Sequence, residues 1–178
     1  MVLLFLLILN TQFTMAGQPV QLQPSEYEIK AAFIYKFAKF IEWPAGIEQA
    51  DRDSLIIGIL GHDPFGFIME KVIGGKTVRG KVITVERYHT VDEALQSDIL
   101  FISESEMPRL DFIINRLSGR DILTVSDTQD FTSKGGMIYL YMHEKHIRFM
   151  INIEAASEAQ LKFSSKLLKL AEIITSAE

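Results

Sequence analysis

Residues 55–64 read LIIGILGHDP, and this stretch indicates the class of fold. It opens with six residues that carry no polar side chain, three of them isoleucine, which is typical of a strand covered by protein on both faces. Gly61 to Pro64 then supplies the signals of a tight turn into a helix. Strands buried on both faces belong to parallel sheets with helices on each side. We therefore expect an α/β fold.

The same alternation of helix and strand surrounds this stretch. A capping box in Ser25-Glu26-Tyr27-Glu28 predicts a first helix that runs to Glu42, where Trp43-Pro44 ends it. Helices are also predicted from Asp63-Pro64 to residue 72, near residues 91–95 and from Pro108 to Leu117, and strands at residues 82–85, 99–102 and 122–125. Short strands alternating with helices favour right-handed β-α-β units.

The C-terminal third follows a different pattern. Residues 137–142 and 147–153 are two closely spaced strands, which predicts a hairpin turning at His143-Glu144-Lys145. Residues 155–175 place apolar side chains at helical spacing and predict a closing helix; these are Phe163, Leu167, Leu170, Ala171 and Ile174. The predicted architecture is a single three-layer α/β domain. Its mainly parallel sheet is flanked by helices, and a C-terminal antiparallel hairpin and a closing helix complete it.

The N-terminal residues read as an export signal. Residues 2–9 (VLLFLLIL) have the length of the apolar region of a signal peptide, and Ala16 is a suitable residue before the cleavage site, although no Lys or Arg precedes the apolar run. The alternative is a buried N-terminal strand or helix. We predict a signal peptide at residues 1–16, a short linker at 17–24, a folded domain at 25–178 and a periplasmic location.

Composition excludes several classes of function. The chain has 178 residues, of which 48% are hydrophobic and 23% charged, and its net charge is −5. A mildly acidic chain without a basic run is a poor candidate for nucleic-acid binding, and no stretch is long enough to span a bilayer. The absence of cysteine excludes a thiol nucleophile, a cysteine zinc site and disulfides.

Several short motifs superficially resemble catalytic or ligand sites. Gly75-Lys76-Thr77 lacks the glycine that a P-loop needs five residues earlier, where Glu70 stands, and His143 to His146 is one residue short of H-E-x-x-H. Ser103-Glu104-Ser105-Glu106 offers paired carboxylates, but acidic residues also suit a helix start. The Gly61-His62-Asp63 turn is either a tight connection or a ligand site at a strand end. We predict no catalytic, cofactor-binding or metal-binding residues.

A set of blocks resembles the YfiR-like family of exported bacterial proteins. The blocks occur in family order and at family-like spacing over nearly all of the mature chain; they are residues 30–44 (KAAFIYKFAKFIEWP), 57–66 (IGILGHDPFG), 99–106 (ILFISESE), 122–127 (ILTVSD), 135–138 (GGMI), 148–156 (RFMINIEAA) and 164–171 (SSKLLKLA). The resemblance implies a compact, non-catalytic periplasmic α/β domain. It further implies repression of an inner-membrane diguanylate cyclase through the cyclase's periplasmic domain, relieved when an outer-membrane lipoprotein sequesters the repressor.

The chain departs from that family's pattern in two places. Members commonly carry cysteines, including one near the position of Ser97-Asp98, so redox control by a disulfide does not transfer to this chain. Met150 stands where an acidic residue is more usual.

The first helix is rich in aromatic residues, which suits a binding module. One helix rarely buries three phenylalanines and two tyrosines against one sheet, so part of this surface is expected to bind a partner or a second copy of the chain. The alternative is that all of it is core. The predicted partner-binding residues are Trp43, Tyr35, Phe65 and Arg148.

Three functions are therefore open. The first is a periplasmic repressor of a membrane diguanylate cyclase. The second is a small-ligand sensor or accessory binding domain of another envelope signalling system, and a semi-polar pocket at the strand ends would favour it. The third is a hydrolase that uses the Gly61-His62-Asp63 turn, which needs a base and a nucleophile converging there.

Overall fold

The computed structural model describes residues 24–44 and 52–175. The predicted signal peptide, residues 1–16, lies outside them. The elements are α1 Glu26–Phe40, β1 Ile41–Glu42, β2 Ser54–Leu60, α2 Ile68–Ile73, β3 Thr77–Val78, β4 Lys81–Tyr88, α3 Val91–Ala94, β5 Ile99–Ile102, a 3-10 helix Glu104–Arg109, α4 Leu110–Leu117, β6 Leu123–Ser126, β7 Ile138–His143, β8 His146–Asn152, α5 Ile153–Glu158, β9 Lys162–Phe163, α6 Ser165–Leu168 and β10 Glu172–Ile174.

Eight of these strands form one sheet, in the order β10-β8-β7-β6-β5-β2-β4-β3. The five neighbouring strands β4, β2, β5, β6 and β7 pair in parallel. The strands β7 and β8 form an antiparallel hairpin. The strands β1 and β9 pair separately. The mainly parallel sheet and the hairpin confirm the predicted class of fold.

Helices cover both faces of the sheet, which makes the three layers. One buried cluster joins Phe37 of α1 and Met69 of α2 to strand residues such as Phe101. The other joins Val91 of α3 and Ile113 of α4 to residues of the opposite face. Successive residues of β5 alternate between the clusters because strand side chains point to opposite faces in turn.

The local signals at the start of the domain act as predicted. The Ser25 hydroxyl accepts a hydrogen bond from the Glu28 backbone N–H, and the Glu28 carboxylate accepts one from the Ser25 N–H, so the capping box is complete.

The hairpin turn is also confirmed: Glu144 and Lys145 have positive φ values of 47° and 65°. Such a two-residue turn matches the twist of the strands it joins.

The predicted closing helix at residues 155–175 is wrong. Gln160 has a φ of 58°, and the Leu161 N–H bonds back to the Ala156 carbonyl at 2.9 Å, which ends α5 after six residues. The chain then forms β9 beside β1, the short α6, and β10 beside β8. Leu170, placed by the helical pattern on the apolar face, is 74% exposed. Backbone pairing with distant strands outweighs a helical pattern here.

Two smaller differences concern helix starts. The second helix begins at Ile68 and not at Pro64, because the Asp63 carboxylate caps the Phe65 N–H at 2.7 Å and holds the chain in a turn. Pro108 lies in the 3-10 helix, and the α-helix after it begins at Leu110.

Candidate functional site

The candidate site lies where the order of the strands reverses. From β2 the chain moves first to β4 on one side and then to β5 on the other, and β6 and β7 continue outward in that direction. This is the doubly wound order in which ligands bind outside the carboxyl ends of the strands, at the point of reversal. The residues that follow β2, β5 and β6 meet at this edge.

A cleft of about 740 Å³ opens at this edge. The first turns of α1 form one wall, and the loops after β2, β5 and β6 form the others. The lining combines carboxylates, hydroxyls and aromatic rings; it consists of Glu26, Tyr27, Lys30, His62, Pro64, Ser103, Glu104, Ser105, Asp127, Thr128, Gln129 and Tyr139. Its volume is within the range of small-molecule sites.

Lys30 is a buried cation in the wall of the cleft. Its Nζ lies 2.7 Å from Oδ2 of Asp127 and 2.5 Å from Oε1 of Glu26, and 4.6 Å from the centroid of the Tyr27 ring. Burial by itself lowers the pKa of this ammonium, but the bonds to Asp127 and Glu26 outweigh that effect, so the Lys30 pKa is raised. The ammonium is therefore fully charged at neutral pH and fully engaged.

Two tyrosines border the same carboxylate. The Tyr27 hydroxyl donates to Oδ2 of Asp127 at 3.2 Å. Burial, together with the nearby Asp127 charge, raises the pKa of Tyr27 and of Tyr139. Both phenols are therefore neutral at neutral pH and can donate hydrogen bonds.

Gly61 allows the loop after β2 to approach the loop after β5. Its φ is 88°, and a Cβ there would lie 2.5 Å from the Ser105 hydroxyl. The His62 N–H donates to that hydroxyl at 2.9 Å, so the two loops are joined. A glycine is required for two reasons: residues with a side chain disfavour a positive φ, and the Ser105 hydroxyl leaves no room for a Cβ atom.

The acidic residues near this loop have structural partners. Asp63 pairs with Arg87 at 2.7 Å, and Glu106 pairs with Arg109 at 2.5 Å. Only Glu104 of the Ser103–Glu106 segment presents its carboxylate to the cleft. Among the described residues, the hydrogen bond between His62 and Ser105 is made by the His62 backbone N–H and not by its ring. Within residues 24–44 and 52–175, no three His, Asp or Glu side chains lie close enough to hold a metal ion.

The four predicted partner-binding residues do not come together in the cleft. Phe65 is 2% exposed, with its ring edge-on to Tyr27 and to Phe101, and Trp43 is 7% exposed. Tyr35 is half-buried, 4.8 Å from the Lys76 ammonium, and Arg148 is exposed on β8. Of the four side chains, those of Tyr35 and Arg148 are accessible to a partner.

The charged group at the centre of the wall was not predicted from the sequence. Lys30 lies on the apolar side of α1, among Ala31, Ile34 and Phe37, and a lysine in that position is a sign of a buried pair. Asp127 directly follows β6, where doubly wound folds place ligand-binding side chains. Either signal could have marked the site.

The comparisons with known proteins identify the family. The model of the YfiR/HmsC-like family matches residues 27–172, so this chain belongs to that family. Proteins of this family are periplasmic, regulatory rather than catalytic, and act in general on diguanylate cyclases.

A solved structure shares the fold. It is described as the crystal structure of a conserved domain protein from Vibrio cholerae O1 biovar El Tor, with a TM-score of 0.56 and 11% sequence identity. The match covers 85% of this chain and 60% of that one, so this chain spans less than two thirds of its length. A search of curated proteins finds no match. Among the described residues, no helix is long and apolar enough to cross a membrane.

Proposed function

We propose that this protein represses an inner-membrane diguanylate cyclase through the cyclase's periplasmic domain, and thereby lowers cyclic-di-GMP and biofilm formation. The observation that carries the proposal is the family match over residues 27–172. The first part of the proposal is export: residues 1–16 are removed as a signal peptide and the folded domain begins near residue 25. N-terminal sequencing of the protein from a periplasmic extract tests this, and an intact Met1 would contradict it.

The two accessible residues Tyr35 and Arg148 lie on opposite faces of the sheet, since Ile147 and Phe149 on either side of Arg148 pack in the cluster under α1. The cyclase is proposed to bind the surface around Arg148, and the surface around Tyr35 is a second proposed contact. Tyr35 offers an aromatic ring flanked by the Lys39 and Lys76 ammonium groups, at 5.6 and 4.8 Å from its centroid. Arg148 lies opposite Tyr141 on the antiparallel hairpin. Half-exposed aromatic and arginine side chains are the residue types enriched at interfaces. The Arg148 surface is also proposed to bind an outer-membrane lipoprotein that relieves repression, or a second copy of the chain.

A deletion of the gene tests the repressor function. Cyclic-di-GMP and surface attachment should rise in the deletion strain, and the wild-type gene should restore them. Arg148→Glu should fail to restore repression, whereas Lys134→Glu should restore it, since Lys134 is an exposed cation on the loop between β6 and β7. Unchanged nucleotide levels in the deletion strain, with the neighbouring cyclase expressed, would contradict the proposal.

The cleft favours a second candidate function, that of a small-ligand sensor or accessory binding domain of another envelope signalling system. The specific observation is a semi-polar cleft of about 740 Å³ at the point of strand reversal. A repressor that acts only through its outer surface does not need such a cleft. Binding of a small molecule to the purified protein, measured by calorimetry, tests this second function.

A further inference from the structure

We propose that the outer surface of the helical layer formed by α1 and α6 binds the surface of an anionic lipid bilayer. The inference goes beyond the proposed function and does not depend on it, since a bilayer can be bound with no cyclase present. We call this surface the basic face. Its exposed lysines come from α1, from the loop after α2 and from α6 with its C-terminal end; they are Lys36, Lys39, Lys76, Lys166 and Lys169.

The helices α1 and α6 lie side by side on the same side of the sheet. Phe37 of α1 and Leu167 of α6 belong to one buried cluster. The Ser164 N–H, just before α6, donates to the Phe40 carbonyl at the end of α1 at 2.9 Å. The sides of the two helices that face away from the sheet therefore form one continuous surface.

The lysines of the basic face have no acidic partner among the described residues. None of the five forms an ion pair with another residue of residues 24–44 and 52–175. Three of them lie over aromatic rings instead: Lys36 is 5.4 Å from the centroid of Phe33, and Lys39 and Lys76 are 5.6 and 4.8 Å from that of Tyr35. A cation over a ring keeps its full charge and remains available to an anion.

Charge is distributed unequally between the two helical layers. Residues 29–41 and 159–171 each contain three lysines and no acidic residue, whereas residues 91–121, which include α3 and α4, contain seven acidic residues and three arginines. Two carboxylates of the first layer are paired with other cations, as Glu28–Lys71 and Glu70–Arg87, both at 2.6 Å. An anionic surface therefore attracts the basic face and repels the opposite layer, which orients the protein on it.

Exposed apolar side chains lie beside these lysines. Leu170, next to Lys169, is 74% exposed. Ile173 is 42% exposed and pairs in register with Ile151 of β8, which belongs to the cluster under α1, so Ile173 lies on the same side of the sheet as the basic face. Lysines around protruding apolar side chains are typical of a surface that lies at the boundary between lipid headgroups and acyl chains.

The residue types favour a lipid surface over an acidic protein. Lysine is depleted at protein interfaces, where arginine and aromatic residues are enriched, yet lysines supply the charge of the basic face. Each lysine close to an anionic bilayer strengthens binding about fivefold, which corresponds to about 1 kcal/mol. A protein held on the bilayer stays beside a cyclase anchored in the same membrane, so a cyclase contact at Tyr35 is compatible with lipid binding.

Sedimentation with lipid vesicles tests the proposal on the purified protein. The probes are vesicles of phosphatidylcholine alone and vesicles of an equimolar mixture of phosphatidylcholine and phosphatidylglycerol. We expect the protein to pellet with the mixed vesicles, less so at high salt, and to remain in the supernatant with phosphatidylcholine alone. No binding to the mixed vesicles, or equal binding to both kinds, would overturn the proposal.

Matched double variants locate the binding. Lys166→Gln with Lys169→Gln should weaken binding to the mixed vesicles roughly 25-fold, about fivefold for each lysine. Arg120→Gln with Lys134→Gln removes the same charge from exposed positions after α4 and in the loop between β6 and β7, and should leave binding unchanged. Equal effects of the two double variants would overturn the assigned face. All variants share the N-terminal residues, so any contribution of residues 1–16 is the same in each.

A further variant separates the apolar contact from charge. Leu170→Ser should weaken vesicle binding roughly tenfold, because an apolar side chain no longer enters the bilayer, and should leave the melting temperature unchanged, because Leu170 is exposed. If the Lys166 and Lys169 variant loses repression in cells while the wild type binds no vesicles, the basic face binds an acidic protein and the lipid proposal is overturned. The vesicle assay contains no cyclase, so its failure leaves the repressor function standing.

Discussion

Replacement of Lys30 by methionine is the most direct test of the charge network that forms the cleft wall. The Lys30 side chain is 5% exposed and that of Asp127 is 11% exposed, so neither charge is screened by water to any large extent. The two carboxylate oxygens bound to Nζ are at most about 5 Å apart. Without the ammonium they repel each other by about 3 kcal/mol at an effective dielectric constant of about 20.

Removing one partner of a buried pair typically costs about 3–5 kcal/mol. We expect Lys30→Met to lower the free energy of unfolding by about 3 kcal/mol, near the low end of that range, because the Glu26 side chain is 43% exposed and can turn into water. The measurement is urea denaturation at neutral pH followed by circular dichroism. Lys36→Met is the matched control, since Lys36 is exposed on the same helix, and it should change stability by less than about 0.5 kcal/mol.

A double-mutant cycle separates the electrostatic effect from packing. In the Lys30→Met background, Asp127→Asn removes the unpaired charge and should recover about 2 kcal/mol, whereas the same change in the wild type should destabilise the protein. If Asp127→Asn has the same effect in both backgrounds, or if Lys30→Met costs less than about 1 kcal/mol, the reasoning is refuted.

The remaining predictions concern pH, packing and metals. Because the Lys30 pKa is raised in the fold, its stabilising contribution is complete below the ordinary lysine value of 10.5 and is lost as the pH rises through the raised pKa, so alkaline unfolding curves of wild type and Lys30→Met should converge. Trp43→Ala should lower the free energy of unfolding by about 3–5 kcal/mol, since the ring is buried in the core. The fluorescence of this single tryptophan should be blue-shifted and resistant to quenchers, and a red-shifted emission would contradict the prediction. Gly136→Ala should cost about 1–3 kcal/mol, because a Cβ there lies 2.2 Å from the buried Phe131 ring, and an unchanged melting temperature would show that the ring moves freely. Thermal melts with and without chelator should coincide, and a drop of more than a few degrees would reveal a structural metal.

Much of the layered fold could be predicted because its signals are local. The apolar run at Leu55–Leu60, the capping box at Ser25 and the two-residue turn at Glu144-Lys145 each specify their own conformation within a few residues. Once strands alternate with helices, the right-handed crossover rule leaves few topologies. The sequence blocks that resemble the YfiR-like family are also short and local, and their order along the chain indicated the class of function.

The C-terminal segment could not be predicted, because its conformation depends on partners far along the chain. Lys162–Phe163 forms a strand only because Ile41–Glu42 lies beside it, and Glu172–Ile174 only because β8 offers an open edge. The same apolar spacing is compatible with a helix. The sequence of the C-terminal segment does not indicate which strand edge elsewhere in the chain is free to pair with it.

The candidate site, too, could be predicted from the sequence only in part. The sequence by itself determined that ligand-capable residues follow β2 and β5, since strand ends can be read from the pattern. Only the tertiary structure decided that Lys30 meets Asp127, 97 residues later, and that the cleft is rich in carboxylates with its one ammonium already engaged. A local pattern records which face a residue occupies, whereas a buried ion pair forms between two elements whose contact exists only after the sheet has brought them together.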